Sequence, residues 1–278
     1  MDTVLPVLSD FHSGSPVALF PLKQMELSTG NVSPTKLQRI IHGQYDEVLE
    51  RVAKLRTAKE RLITVLNGDM PEGIHHGNKQ IASLLWNDHK RINLELLDYG
   101  LRKMGHGKTK HDKIFMTKGT DSHTGEAEED IAKDLGAVPF SETQYCHPSL
   151  KININGVRFW FAHQGANPGK DGTQTKGNGL RAKLKQIRDD CLDRGEPAPS
   201  YVVFSHFHHK WHEAIDTRNG TMHGFVLPSF QFKTDWALRY FPFEVENIGG
   251  LIFKVSAGGG VEWEWSTMEY QSAQEIRL

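Results

Sequence analysis

The sequence predicts an α/β fold built on a mixed β-sheet, and three observations carry that prediction. Short β-rich runs alternate with helical segments between residues 4 and 204, and strand–helix alternation of this kind pairs strands in parallel. The runs at Gly224–Leu227, Leu251–Val255 and Val261–Trp265 follow one another closely, which reads as antiparallel. The chain has 278 residues, 38% of them hydrophobic, enough to bury a substantial core. No fixed-period repeat and no Pro/Ser-rich linker divides it, so residues 1–278 read as a single domain with long loops.

Taken in order, Val4–Leu8 has strand length and composition. A helix is expected from a cap at Ser33, with Pro34 at the first helical position and Leu37, Ile40, Ile41, Val48, Leu49, Val52 and Leu55 at helical spacing. Leu62–Leu66 is the next strand. A second helix is expected over Asn78–Met104, where Ile81, Leu84, Leu85, Ile92, Leu96, Leu97 and Leu101 form one stripe and Gly105 and Gly107 stop it. Lys113–Met116, Val157–Phe161 and Tyr201–Phe204 are further strands, with shorter helices at Glu126–Leu135 and Leu180–Leu192.

Composition narrows the function. Lys plus Arg is 33 against 34 for Asp plus Glu, a formal charge of −1, so no global basic footprint points to nucleic acid. No apolar run reaches the roughly eighteen residues a membrane span needs, and the N-terminus has no basic segment leading into an apolar stretch. The expectation is a soluble, cytoplasmic protein without a membrane partner. Cys146 and Cys191 are too few and too far apart for a disulfide framework or a thiolate zinc site. The 15 histidines are the unusual feature.

Several of them fall, with aspartates, where the strand runs end. Leu8 is followed by Ser9-Asp10-Phe11-His12, Leu66 by Asn67-Gly68-Asp69, and Met116 by a segment reaching Gly119-Thr120-Asp121-Ser122-His123. Phe161 is followed by Ala162-His163 and Phe204 by Ser205-His206-Phe207-His208. A lone Asp or His at a strand end is more often a turn former than a ligand. The same chemical type at all five ends is what metal binding demands, because loops at the carboxyl ends of strands converge. Asp10 with His12, and His206 with His208, are two residues apart, so extended backbone would aim each pair to one side. Carboxylate and imidazole without thiolate favour Mn, Fe or Zn. Two ions sharing Asp69 would use the candidates economically, with Gly68 allowing close approach, and bridged pairs about 3.5–4 Å apart are typical of phosphate-ester hydrolases.

Over roughly residues 4–210 this ordered series, Asp10-x-His12, Gly68-Asp69, Gly119 to His123, His163 and His206-x-His208, resembles the calcineurin-like metallophosphoesterase superfamily. The resemblance implies a four-layer α/β sandwich of two mixed sheets flanked by helices, with a dinuclear centre at the strand ends. It implies Asp10, His12, Asp69 and His208 on one divalent ion and Asp69, His163 and His206 on the other, Mn being the ion expected to serve in vitro. The family pattern has an adjacent Asn-His after a glycine, the Asn on the second metal and the His facing substrate. Here Gly119-Thr120-Asp121-Ser122-His123 departs from it, a departure similar to that of phage-like members. Asp121 either replaces the Asn as a ligand or orients His123 while water fills the second ion's shell, and Thr120 competes for the same place.

The reaction so implied is hydrolysis of a phosphate mono- or diester by a hydroxide bridging the two ions, with Asp69 and His123 as catalytic residues. His123 is read as general acid to the leaving oxygen or as a phosphate contact. The partner is a phosphorylated substrate, a small molecule or a nucleic acid. A nuclease and a catalytically silent scaffold on the same fold are the alternatives. His75 and His76 follow Asp69 closely, His76 being the candidate substrate contact. The loop Gly165–Gly179 brings Lys170 and Lys176, with Arg181 beyond, into position to close over phosphate, against the plainer reading of surface loop. His209 and His212 divide between support of the ligand pair and simple surface. Glu72 could support the ligands from behind, but the plainer reading is an exposed turn carboxylate. Gly107-Lys108-Thr109 follows a helix and lacks the first glycine of a phosphate loop, which excludes a nucleotide site there. The basic stretches Arg51–Arg61 and Arg102–Lys113 read as solvated faces, and Trp211, Trp236, Trp263 and Trp265 as core or interface.

Overall fold

The computed structural model describes residues 1–74, 80–125, 127–167, 176–218, 220–240 and 242–271. In chain order the elements are β1 (Thr3–Leu8), β2 (Met25–Leu27), β3 (Gly30–Val32), α1 (Lys36–Leu55), β4 (Arg61–Leu66), α2 (Trp86–Met104), β5 (Lys113–Thr117), α3 (Asp121–Thr124), α4 (Ala127–Asp134) and β6 (Cys146–His147). They continue with β7 (Leu150–Ile154), β8 (Val157–Phe161), α5 (Asn178–Asp193), β9 (Tyr201–Phe204), β10 (Trp211–Thr217), β11 (Gly220–Val226), α6 (Asp235–Tyr240), β12 (Glu246–Val255) and β13 (Val261–Tyr270).

Two mixed sheets result. One runs β13-β12-β1-β4-β5-β6, the other β10-β11-β9-β8-β7, and β2 and β3 form a small separate ribbon. In the first, β1, β4, β5 and β6 are parallel, and β12 is antiparallel to both of its neighbours, β1 and β13. In the second, β8 and β9 are parallel and β7 is antiparallel to β8. The Gly224–Leu227 run, expected as antiparallel, belongs to β11, which pairs parallel with β9 on one side and antiparallel with β10 on the other. β10 escapes the sequence reading because only Ile215 among its residues is buried, so its alternation is faint.

Period-two alternation explains the layering. Val4 and Leu8 face one side of the first sheet, against Tyr45, Val48 and Val52 of α1, Ile92 and Leu96 of α2 and Ile131 of α4. Leu5 and Val7 face the other side, where Phe159, Phe161, Val203 and Phe225 of the second sheet meet them. On that sheet's outer face Val202, Phe204 and Met222 pack against Leu180, Leu184 and Ile187 of α5. Helices, sheet, sheet and helix give four layers over three apolar interfaces.

Two helix starts differ from expectation. The first begins at Lys36, because Thr35 accepts from Gln38 N at 3.1 Å while the Gln38 side chain accepts from Thr35 N at 2.8 Å, a reciprocal box that outcompetes Ser33-Pro34. The second begins at Trp86 rather than at Asn78, which lies outside the described residues. Ala82 N is bonded to Gly14 O at 2.7 Å, and Ser83 Oγ accepts from Leu85 N at 3.1 Å, so this stretch spends its polar groups on loop contacts. Leu84 and Leu85, expected on the buried stripe, are exposed. Cys146 and Cys191 are free and buried. Among the described residues no helix is long and apolar enough to cross a membrane.

Candidate metal centre

The parallel strands β1, β4 and β5 of one sheet and β8 and β9 of the other end at one edge, and hydrogen bonding continues past their ends. Asp10 N donates to Gly68 O at 3.0 Å and His12 N to Asp69 O at 3.1 Å, so the loops after β1 and β4 stay zipped together. Asn67 ties the two sheets: its Nδ2 donates to Ala162 O at 3.2 Å and Ser205 Oγ at 2.6 Å, and its Oδ1 accepts from Thr117 at 2.9 Å.

The pairs Asp10/His12 and His206/His208 are not extended. Asp10 (φ 53°), His12 (45°), Asp69 (54°), His206 (75°) and His208 (54°) all adopt left-handed backbone, five of the six non-glycine residues among those described that do so. Each costs roughly 1 kcal/mol or more, persisting only where surroundings enforce it, and such strain clusters at functional sites. Both members of each pair still face the centre, while Phe11 turns fully away to meet Tyr45 and Phe230 edge-on.

Three groups of side chains with ligand atoms mutually within 4.8 Å assemble there: Asp10, His12 and His208; Asp69, His163 and His206; and His12, Glu72 and His123. Asp10 Oδ1 lies 3.3 Å from His208 Nε2, 3.8 Å from His12 Nε2 and 3.9 Å from His163 Nε2. Asp69 Oδ2 lies 2.9 Å from His163 Nε2 and 3.9 Å from His206 Nδ1. Asp10 thus touches residues of both of the first two groups. Six of the sequence-predicted ligands, Asp10, His12, Asp69, His163, His206 and His208, are therefore gathered.

His123 is also brought in, its ring 4.9 Å from that of His12, and its Nδ1 donates to Glu72 O at 3.2 Å. Asp121 is not. Its side chain is 81% exposed and pairs with Lys118 at 2.7 Å, because it starts the short helix α3 on the solvent side while Thr120 turns inward. His75, His76 and Lys170 lie outside the described residues. Arg181 is held by Glu213 at 2.7 Å and Lys176 sits over the Trp211 ring at 4.3 Å, so these cations are engaged along α5 and β10. His212 contacts His223 at 3.1 Å and packs on Phe225 and Trp263, away from the ligand pair it follows.

Glu72 corrects the sequence reading: it is 1% exposed, pairs with His12 Nδ1 at 2.9 Å and takes Gln231 Nε2 at 3.1 Å. Fixing Nδ1 as the protonated nitrogen leaves Nε2 of His12 facing Asp10 and His208. Asn67 O does the same for His163 Nδ1 at 2.7 Å. Glu128, unforeseen, is buried and accepts from Met70 N at 3.0 Å and Gly119 N at 2.7 Å, clamping the Asp69 and Thr120 loops. Burial and the Asp69 charge push its carboxyl up to about 7. Gly68 is required for packing of protein on protein: a Cβ there would lie 2.6 Å from His163 Nδ1 and 2.8 Å from Gly119 Cα.

Burial alone would raise the Asp10 and Asp69 carboxyls, yet the facing imidazoles hold both well below the ordinary carboxylate range. Burial opposes charge on His163, but Asp10 and Asp69 lift it to about 9. Asp10 Oδ1 is nonetheless a buried atom without a hydrogen-bond partner. Such an orphan is costly unless something else satisfies it, and acceptor atoms converging from carboxylates and imidazoles are a donor set for a divalent cation. The residues fit that group.

No protein-family model matches the chain, and no curated protein matches it. Among solved structures, vacuolar protein sorting 29 from Cryptosporidium parvum is 11% identical, covering 98% of this chain and 99% of its own, with a TM-score of 0.39. Wild-type Vps29 of Entamoeba histolytica, complexed with zinc, is 13% identical over 96% of this chain and 98% of its own, with a TM-score of 0.35. A hypothetical protein from Thermus thermophilus is 10% identical over 97% and 99%, with a TM-score of 0.42. The architecture and the site stand on their own geometry.

Proposed function

We propose that the chain hydrolyses phosphate esters with two divalent cations, as the calcineurin-like metallophosphoesterases it resembles do. The observation that carries this is the convergence of Asp10, His12, Asp69, His163, His206 and His208 from four strand ends in two sheets, with Asp10 Oδ1 left without a hydrogen bond. Asp10, His12, Asp69 and His208 would hold one cation, and Asp69, His163 and His206 the other. When bound, the pair supplies charge neutralisation for phosphate and activation of water near neutral pH.

The chain's own residues do the remainder. Glu72 and Asn67 O hold His12 and His163 by their Nδ1 atoms, so that Nε2 of each faces inward. His123, with Nδ1 committed to Glu72 O, meets the substrate through Nε2, as proton donor to the leaving oxygen or as a phosphate contact. His76 and Lys170 are proposed as further substrate contacts. Carboxylate and imidazole ligands suit Mn, Fe or Zn.

The test is a panel of phosphomonoester, phosphodiester and oligonucleotide substrates with Mn²⁺, Fe²⁺ and Zn²⁺, run on the full chain and on Asp69→Asn. Turnover by the wild type that falls at least ~100-fold in Asp69→Asn supports the reading, and unaltered turnover in that variant overturns it. Two bound ions without turnover on any substrate would instead establish a metal-loaded scaffold, the reading favoured by the departure of Gly119-Thr120-Asp121-Ser122-His123 from the resembled pattern. Binding to oligonucleotides that weakens steeply with salt would mark a nuclease.

A further inference from the structure

We propose that the Thr120 hydroxyl is a ligand of the second cation, in the place for which the resembled pattern uses an asparagine amide, and that it makes this the weaker of the two cation sites. The proposal rests on the two-cation reading above and adds a ligand and an order of loading.

Thr120 grips Asp69 at both oxygens, its backbone N donating to Oδ1 at 2.6 Å and its hydroxyl contacting Oδ2 at 3.1 Å. The same hydroxyl lies 3.2 Å from His206 Nδ1. These separations, with the 2.9 Å between Asp69 Oδ2 and His163 Nε2, are those of neighbouring corners around one ion: metal–ligand bonds of about 2.1 Å at right angles put adjacent ligand atoms about 3 Å apart. A hydroxyl has one proton and two lone pairs. Gln164 Nε2, 3.4 Å away, points a donor at the oxygen from the loop after β8, and Asp69 and His206 must both turn lone pairs to any cation between them. A lone pair of Thr120 then turns to the same ion.

Two features fix the hydroxyl there. Gly119 is pressed on Asp69, since a Cβ on it would fall within 2.4 Å of the Asp69 backbone nitrogen, and Glu128 holds Gly119 N at 2.7 Å. The residue after Gly119 therefore has its side chain delivered to Asp69, whereas Asp121, one position on, is directed to solvent and Lys118. A neutral hydroxyl is a poorer cation ligand than an amide carbonyl. The Asp69–His163–His206–Thr120 set also lacks the second carboxylate that Asp10 gives the other site.

The experiment is calorimetric titration of the full chain with Mn²⁺, with electron paramagnetic resonance of the loaded protein to detect coupling between two ions. Wild type should show two affinities, the weaker accompanied by coupling. Thr120→Ala should weaken the second affinity by about tenfold or more while leaving the first unchanged, Thr120→Ser should retain it, and Thr120→Asn should tighten it. Asp121→Asn should change neither. A folded Thr120→Ala protein with both affinities intact, one losing both sites equally, or an Asp121→Asn protein that loses the second site would each overturn the proposal. Wild type binding no Mn²⁺ would instead refute the two-cation reading beneath it.

Discussion

Two aspartates with buried side chains, Asp112 and Asp10, serve opposite ends. Asp112 is filled: Oδ1 accepts from Arg56 Nη2 at 2.7 Å, Leu62 N at 2.9 Å and Thr109 Oγ1 at 2.7 Å, and Oδ2 from Arg56 Nη2 at 2.7 Å and Gly107 N at 2.8 Å. Arg56 spends its other donors on the carbonyls of Gly105 and Glu60. Asp10 is half-filled. Its Oδ2 takes Ser9 Oγ and His206 N, but Oδ1 takes no hydrogen bond and faces three imidazoles. A carboxylate whose lone pairs are all answered joins elements of the fold; one answered on a single side, among acceptors, is kept for a ligand.

That contrast can be broken by measurement. The largest effect belongs to the filled site: Asp112→Asn leaves the buried Arg56 guanidinium uncompensated and should cost about 3–5 kcal/mol in urea unfolding, with Mn²⁺ binding unchanged. A loss under about 1 kcal/mol would remove Asp112 from the joints of the fold. Next, Mn²⁺ at a hundredfold excess over its Kd should add about 2.7 kcal/mol to the wild type and clearly less to Asp10→Asn, read by the same unfolding curves. Equal gains would mean that the ions sit elsewhere.

Acid comes third. Burial would raise the Asp112 carboxyl, but Leu62 N, the Thr109 hydroxyl and Arg56 outweigh it and hold the group at about 2. Its contribution is then fully present above the ordinary carboxylate value near 3.8 and is lost as pH falls from about 4 to about 2, roughly 2 kcal/mol in all. Asp112→Asn should flatten that part of the stability profile. The smallest effect is Glu72→Gln, which keeps an acceptor for His12 but removes its charge. Affinity for the first cation should fall about tenfold, or 1.4 kcal/mol. An unchanged affinity would show that Gln231 and packing suffice to orient His12.

Legibility followed range. The ligand-type residues were readable because each stands directly after a strand whose apolar run is itself plain, as with Leu62–Leu66 before Asp69. Glu72 was not, since what buries it is His12 on another loop and Gln231, which is 159 residues away. Glu128 stands within the short helix expected at Glu126–Leu135 with nothing to single it out, because its partners are backbone groups that a sequence does not display. β7 carries a local signal: Asn155-Gly156, with φ of 54° and 89°, is the two-residue turn that closes a hairpin between Ile154 and Val157. The onset of α2 is hidden in the sequence because Leu84 and Leu85 keep helical spacing while lying exposed before the helix starts.

The left-handed backbone at Asp10, His12, Asp69, His206 and His208 sets the terms on which this centre can be altered or transplanted. Asp, Asn and His enter that conformation several-fold more readily than other side chains, so these positions select their occupants for backbone handedness as well as for lone pairs. An alanine scan would therefore charge each position twice, confounding lost coordination with torsional penalty, whereas Asn at the aspartates separates the two. A copy of the six side chains on regular strands of another scaffold would inherit the chemistry without the torsions that aim it.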